Sequence, residues 1–279
     1  MKVHRVSAFS YNNKGGNPAG VVVSDHMPSS DEMLRIAKEV GYSETAFLAS
    51  CEGGWRVRYF APEMEVPFCG HATIAAGFVL GELKGPGTYV FFLNDGSIDL
   101  HVERSESEAS FVALNSPGTA SMPAPADYVA RILSVMGLSL SLLNPVFPIR
   151  FASAGAKHLI VVLKDKADLS ALTYDFEALK AVMAEQELVT VNVLYMASPR
   201  RFHSRNPFPP GGVYEDPATG AAAAAFAGYL RDIEWLGDTD FEVIQGEDMG
   251  QPSRLLVSYQ KEVGSSVRVS GEARYLSKC

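Results

Sequence analysis

Glu44 stands in Ser43-Glu44-Thr45-Ala46-Phe47-Leu48, at the mouth of an apolar, strand-like run. A carboxylate there is either a solvated charge at a strand start or a general acid/base. Partial burial would lift its pKa toward neutrality, where proton shuttling is efficient. His71, in Pro67-Phe68-Cys69-Gly70-His71, reads as a donor to a substrate or as a polar cap on a buried helix start. Asp216, in Asp216-Pro217-Ala218-Thr219-Gly220, could hold a substrate amine or hydroxyl, or cap its own helix. Cys69, between Phe68 and Gly70, is a small packing residue or a nucleophile.

Both glycine-containing turns open small-residue segments. Free N–H groups and the positive end of a helix make such a start an anion site, and glycine lets a ligand come close. If two halves of the chain face each other, the starts at Gly70 and Gly220 converge on one cleft and can grip a carboxylate. The plainer alternative is that both glycines only ease tight strand-to-helix turns. Other chemistries lack their signatures. Gly15-Gly16-Asn17-Pro18-Ala19-Gly20 is followed by no Gly-Lys-Ser/Thr, so it is no phosphate loop. No Gly-x-Ser-x-Gly elbow or kinase signature is present.

The elements that must carry these residues alternate in short runs. Strands are expected over 3–9, 20–23, 44–49 and 55–60, with a helix over 31–40 that Ser30 caps and Gly41 ends in a left-handed conformation. A small-residue helix over 70–83 and three strands follow. The stretch 115–125, with three prolines and a glycine, is the expected linker. Beyond it the rhythm returns: helices at 126–136, 176–184 and 219–231, and strands at 147–152, 158–163, 189–194, 241–245, 254–259 and 267–269. Gly70-His-Ala-Thr-Ile-Ala-Ala-Gly-Phe-Val-Leu80 and Gly220-Ala-Ala-Ala-Ala-Ala-Phe-Ala-Gly-Tyr-Leu230 echo each other at an offset of 150. Helices apolar on every side should be buried all round. The reading is α+β: two similar halves, each a sheet wrapped around one central helix.

Composition narrows the partners. The 279 residues are 47% hydrophobic and 20% charged, enough for a packed core. With 24 Lys+Arg against 32 Asp+Glu the net charge is −8, a poor match for nucleic acid or an anionic membrane surface. A small molecule is the expected partner. The N-terminal segment has no signal-peptide pattern, no apolar run would span a bilayer, and Cys51, Cys69 and Cys279 show no CxxC spacing. These features point to the cytoplasm. The six histidines fall in no HExxH or HxH pattern, so no protein-built metal site is expected.

At these residues the sequence resembles the phenazine-biosynthesis PhzF-like family, relatives of diaminopimelate epimerase. The match lies in Ala8-Phe9 with Gly16-Asn17-Pro18-Ala19-Gly20-Val21-Val22, in Ser43-Glu44-Thr45-Ala46-Phe47, in Phe60-Ala61-Pro62 running to Glu65-Val66-Pro67-Phe68-Cys69-Gly70-His71-Ala72-Thr73, and in Glu215-Asp216-Pro217-Ala218-Thr219-Gly220. Gln245-Gly246 and Met249–Ser253 add to it. The resemblance implies two pseudo-symmetric domains, each a barrel-like, mostly antiparallel sheet around a central helix, here 1–118 and 119–279, with a return of the last strand to the first domain left open. It implies a homodimeric isomerase without cofactor or metal, its active site in the cleft. Glu44 would be the acid/base, Gly70, His71, Asp216 and Gly220 would line the substrate site, and Ser43 and Asn17 would lie near it.

Two departures bear on the substrate. Ala221 stands where many members have Ser, and Ala72-Thr73-Ile74-Ala75 differs from the phenazine enzyme after its Gly-His, so phenazine synthesis is not implied. Cys69 fills the first of the epimerases' two thiol positions, but Asp216-Pro217-Ala218 supplies no second. The expected activity is single-base proton transfer by Glu44 on a small carboxylate-bearing metabolite. The alternatives are a racemase or epimerase using Cys69 and Glu44, and a non-catalytic metabolite-binding protein of the same fold.

Overall fold

The apolar runs pair into strands in a computed structural model that describes residues 1–104, 110–235 and 240–276. Cys279 lies outside the described residues. The chain divides into two units, residues 1–115 with 270–279, and residues 116–269.

In the first unit the elements run β1 (His4–Ser10), β2 (Asn17–Ser24), α1 (Ser30–Val40), β3 (Thr45–Cys51), β4 (Gly54–Phe60), β5 (Glu65–Val66), α2 (Gly70–Lys84), β6 (Gly87–Leu93), β7 (Gly96–Arg104) and β8 (Ser110–Asn115). β1 and β2 are antiparallel, α1 carries the chain to β3 parallel to β2, and β3 turns back into antiparallel β4. After α2, β6 lies parallel to β4, and β6, β7 and β8 form an antiparallel meander. Parallel neighbours need a long crossover, and the two helices supply it. α1 is amphipathic: Met33, Ile36 and Ala37 pack with Val22, Phe47 and Phe60. Its cap is Ser29 rather than Ser30; the Ser29 side chain accepts from the Glu32 amide, and Gly41 closes the helix at φ +71°. Ser30 instead opens the first turn and accepts a bond from Arg58.

α2 has no polar face, and every residue from His71 to Gly81 is buried. Its glycines explain how the sheet comes so close. A Cβ at Gly77 would lie 2.7 Å from Val112 Cγ1, and one at Gly81 would lie 2.5 Å from Val102 Cγ1.

The second unit repeats the plan. Its elements are β9 (Ala120–Pro123), α3 (Ala126–Val135), β10 (Arg150–Ser153), β11 (Lys157–Leu163), α4 (Lys166–Ser170), α5 (Phe176–Ala184), β12 (Thr190–Ser198), β13 (Arg201–Arg205), α6 (Gly220–Asp232), β14 (Asp240–Gln245), β15 (Ser253–Tyr259) and the start of β16 (Val267–Tyr275). β10 and β11 are antiparallel, β11 and β12 parallel, β12 and β13 antiparallel, β13 and β14 parallel, and β14 and β15 antiparallel. That is the sequence of pairings from β1 to β7, with α6 in the place of α2. The echo at offset 150 is therefore a repeat of topology as well as of composition. All residues from Ala222 to Arg231 are buried, and Gly228 lets Thr119 approach to where a Cβ would meet its Cβ at 2.5 Å. β16 ends in the first unit, where Glu272–Tyr275 pair with β1.

The expected linker at 115–125 is instead ordered structure. Ala120–Pro123 form β9 against β10, and the amides of Ser116 and Thr119 donate to Val267 O at 2.8 Å and Gly264 O at 3.2 Å. β9 has β10 as its one neighbour in the sheet order, a position that tolerates proline. β13 and the short α4 escape periodicity because charged and polar residues interrupt their apolar positions. No helix among the described residues is long and apolar enough to cross a membrane.

Candidate active site

Glu44 is the last residue before β3, and its place is set by how closely β2 and β3 approach. Gly20 faces Thr45 across this parallel pair, and the Gly20 amide donates to Glu44 O at 3.2 Å. A Cβ on Gly20 would lie 2.6 Å from Thr45 Oγ1. The strand therefore needs a residue without a side chain there. Upstream, Gly16 sits at φ +86° with Ser7 Oγ and Ala8 O where a Cβ would be, so the turn into β2 admits glycine alone. Buried Phe9 takes φ +59° where the β1–β16 register slips between Ala8 and Ser10. Strained backbone of this kind persists only where the surroundings over-determine it. Asn17 is buried in β2, opposite Ala8.

The start of α2 is held from below. Fully buried Tyr59 donates to Thr73 Oγ1 at 2.6 Å, and Thr73 donates in turn to Cys69 O at 2.7 Å. Burial pushes the Tyr59 pKa well up, so it stays a donor. The loop before the helix is tied by Arg58, whose Nε donates to Glu65 Oε1 at 2.8 Å and holds that carboxyl below its usual range.

Above this base the side chains meet. His71 Nε2 lies 3.3 Å from Glu44 Oε2 and 3.3 Å from Ser43 Oγ. Cys69 Sγ lies 3.4 Å from His71 Nδ1 and 3.8 Å from Nε2. The His71 side chain is 8% exposed and that of Glu44 20%. Glu44 Oε2 is sealed from solvent yet accepts no well-directed hydrogen bond. Its approach to His71 is one of charge distance, not hydrogen-bond direction. One donor atom from each of Glu44, Cys69 and His71 falls within 4.8 Å of the others, the assembly that histidine spacing alone did not foretell. No side chain caps α2, no acid occupies its first turn, and a Cβ on Gly70 would meet nothing within 4 Å. The first amides of the helix thus open onto free space with their positive dipole end unspent.

In the second unit, the turn into α6 is built by different means. Thr219, not Asp216, occupies the cap position, and its hydroxyl donates to an Asp216 carboxylate oxygen. Gln245 clamps the turn, donating to Asp216 O at 2.6 Å and Thr219 Oγ1 at 3.0 Å and accepting from the Thr219 amide at 3.2 Å. Gly246, at φ +76°, leaves room for Pro217 O, which a Cβ would meet at 2.9 Å. Next to Asp216, buried Glu215 pairs with Arg205, whose guanidinium also donates to Leu169 O, Ser170 O and Leu172 O. Burial alone would lower the Arg205 pKa; its bonds to Glu215 outweigh that and raise it. Of this support, Arg205 left no trace in the sequence: Glu215 returns to it through the bridge of Pro207 with Glu215, and its other partners lie in and after α4.

Ser43, Glu44, Cys69, Gly70 and His71 therefore assemble in one unit, while Asp216 and Gly220 mark the equivalent helix start of the other. Residues 6–279 match the family described as phenazine biosynthesis-like protein, PhzC-PhzF. The chain belongs to this family. It is 30% identical over 272 residues to the trans-2,3-dihydro-3-hydroxyanthranilate isomerase of Pseudomonas aeruginosa, covering 95% of this chain and 91% of that one. It is 31% identical over 234 residues to the uncharacterized isomerase YddE of Escherichia coli, covering 82% and 78%. A solved PhzF-family phenazine biosynthesis protein from Bacillus anthracis superposes with a TM-score of 0.87 at 26% identity, over 99% of this chain and 98% of that one. As a PhzF-family protein with the diaminopimelate epimerase-like fold, the chain is an isomerase.

Proposed function

We propose that this PhzF-family isomerase moves a proton between carbons of a small, cyclic, unsaturated carboxylate, with Glu44 as the one acid/base. The observation that carries this reading is Glu44 Oε2, buried without a hydrogen-bond donor 3.3 Å from His71 Nε2 beside the uncapped start of α2. An oxygen left without a donor keeps its lone pairs for a substrate C–H. The substrate class follows the named Pseudomonas relative, whose substrate is a cyclic dihydro acid by its name.

Glu44 takes the proton from one carbon and returns it to another, so no net proton is gained or lost. The carbanionic charge that appears between the two steps is spread toward the substrate carboxylate. The first amides of α2 meet it there, with His71 as a further donor when its proton is on Nε2. General base catalysis supplies about 10²–10⁴-fold, and preorganised donors at the developing charge supply the rest. Ser43 orients His71; Asp216 and Gly220 keep the substrate-binding role that the family motif implies, with Asn17 in support. Ala221 offers no hydroxyl, so one donor that members with Ser carry at this turn is missing here.

The racemase alternative needs two bases on opposite faces of one carbon, each about 3–3.5 Å from it and so roughly 6–7 Å apart. Cys69 and Glu44 offer atoms within 4.8 Å of each other, which favours one base over two.

A thermal-shift screen of cyclic carboxylates, followed by proton NMR of the hits in D2O, tests the proposal. The expected result is a shifted double bond with deuterium at the new C–H position, and its loss in Glu44→Gln with folding and ligand affinity retained. Full turnover by Glu44→Gln would refute it.

A further inference from the structure

Cys69 occupies the cap position of α2 and His71 its first turn, two residues apart, and the start of β3 brings Glu44 to them. Cys69 Sγ and His71 Nδ1 are within hydrogen-bond reach at 3.4 Å, and the distances among the three also suit a metal ion. Ligands held tetrahedrally at the usual zinc distances of about 2.0–2.3 Å stand roughly 3.3–3.7 Å from one another. Glu44 Oε2 to His71 Nε2 measures 3.3 Å, and Cys69 Sγ to His71 Nε2 measures 3.8 Å. The widest separation in the trio is at most 4.8 Å. The chemistry of the set agrees. A thiol, an imidazole and one carboxylate are a borderline-soft donor group, suited to zinc or cobalt and poorly suited to magnesium or calcium. Next to His71, a Cβ on Gly70 would meet nothing within 4 Å, so there is open space beside the trio for a further ligand. Three protein ligands and one open position is a common arrangement of accessible zinc. The sealed Glu44 Oε2, which accepts no well-directed hydrogen bond, is an independent sign of a missing partner.

We propose that Glu44, Cys69 and His71 bind a borderline-soft divalent cation, zinc foremost, and that the bound cation switches the isomerase off. Binding releases the Cys69 thiol proton to solvent, forms a metal–sulfur bond, and requires neutral His71 with its proton on Nδ1. The switch follows because the cation takes the carboxylate lone pair that would otherwise abstract the substrate proton. The binding stands on the geometry; the switch rests on the acid/base reading of Glu44.

The test uses the full chain carrying Cys51→Ser and Cys279→Ser, which leaves Cys69 as its one thiol, after treatment with and removal of a chelator. Titration with cobalt(II) should give one equivalent bound and a thiolate-to-cobalt charge-transfer band, which zinc then bleaches by displacement. Cys69→Ser should abolish the band while leaving the chelator-treated melting temperature unchanged. His71→Gln should weaken binding by at least about 100-fold, since loss of even an outer-shell partner costs about 10–100-fold. No band in the parent, or a band that survives Cys69→Ser, overturns the site. With a substrate in hand, zinc should inhibit and magnesium should not; full turnover at saturating zinc overturns the switch. The Glu44→Gln assay is run in chelator, so a failure of the acid/base reading shows there and leaves the cobalt result standing.

Discussion

His71 reaches Glu44 across two elements, its Nε2 3.3 Å from the Glu44 carboxylate, because the start of α2 and the start of β3 meet at the same end of the first unit. A glycine-dependent close approach sets the backbone on each side: Gly20 against Thr45 next to Glu44, and Gly77 against Val112 along the helix that carries His71. This relationship makes the site a product of sheet and helix packing, and it sets the first prediction.

His71→Asn keeps a polar side chain but withdraws it from Glu44. Turnover should fall by about 10²-fold through kcat, with a smaller change in KM, because the lost donor acts on developing charge. Steady-state kinetics on the identified substrate check this.

Gly70→Ala should separate binding from folding. Its Cβ meets nothing within 4 Å, so the melting temperature should hold or rise slightly, by about 0.4–1 kcal/mol of stability. The added methyl points into open space next to the proposed site, and if that space takes the substrate KM should rise about tenfold. An unchanged KM would remove Gly70 from the substrate site.

Gly81→Ala is the reverse case. Its Cβ would stand 2.5 Å from Val102 Cγ1 inside a packed helix–sheet contact. Overpacking should cost about 1–3 kcal/mol in a denaturant titration. Turnover at low temperature should be unaffected.

Arg205 and Glu215 form a buried pair beneath the turn that carries Asp216. Removing either partner strands the other charge, and Glu215→Gln or Arg205→Met should each cost about 3–5 kcal/mol. The double variant Arg205→Met/Glu215→Leu should lose less than the two singles together. Strict additivity in chemical denaturation would show that the pair is not coupled.

His158 is fully buried, with Nδ1 2.7 Å from Thr190 Oγ1 and Nε2 without a partner, and burial pushes its pKa down to about 4. The unfolded chain takes up a proton near pH 6.5, the folded chain only near pH 4. Its contribution to stability is therefore complete above about pH 6.5 and is lost as the pH falls between those values, a loss of about 3 kcal/mol. Calorimetric unfolding from pH 7 to 4 should show this slope, and His158→Gln should flatten it.

Much of this was legible without coordinates. The two all-apolar helices announce their burial by composition, and Ser29-Ser30 with Gly41 bound α1 to within one residue, since caps and periodicity are local properties. The family motifs pointed to Glu44 and His71, which the structure brings within 3.3 Å of each other, and to Asp216 and Gly220 at the turn into α6.

The reading of 115–125 as a linker matches the place where the two units divide, but its residues 120–123 are a strand. Prolines at 117, 123 and 125 look like a break, yet β10 captures Ala120–Pro123 as an edge strand, a gain that exists only once β10 is in place. The cluster of Glu44, Cys69 and His71 was likewise invisible to spacing rules, which see Cys69 and His71 but not a carboxylate distant in the chain, just before β3. What the chain alone determined is the set of pieces: which helices hide, where strands begin, which residues carry reactive groups. What tertiary structure decided is which reactive groups touch. The parallel register of β2 on β3 and the depth of α2 in its sheet fix those distances, and such through-space sums depend on residues far apart in the chain.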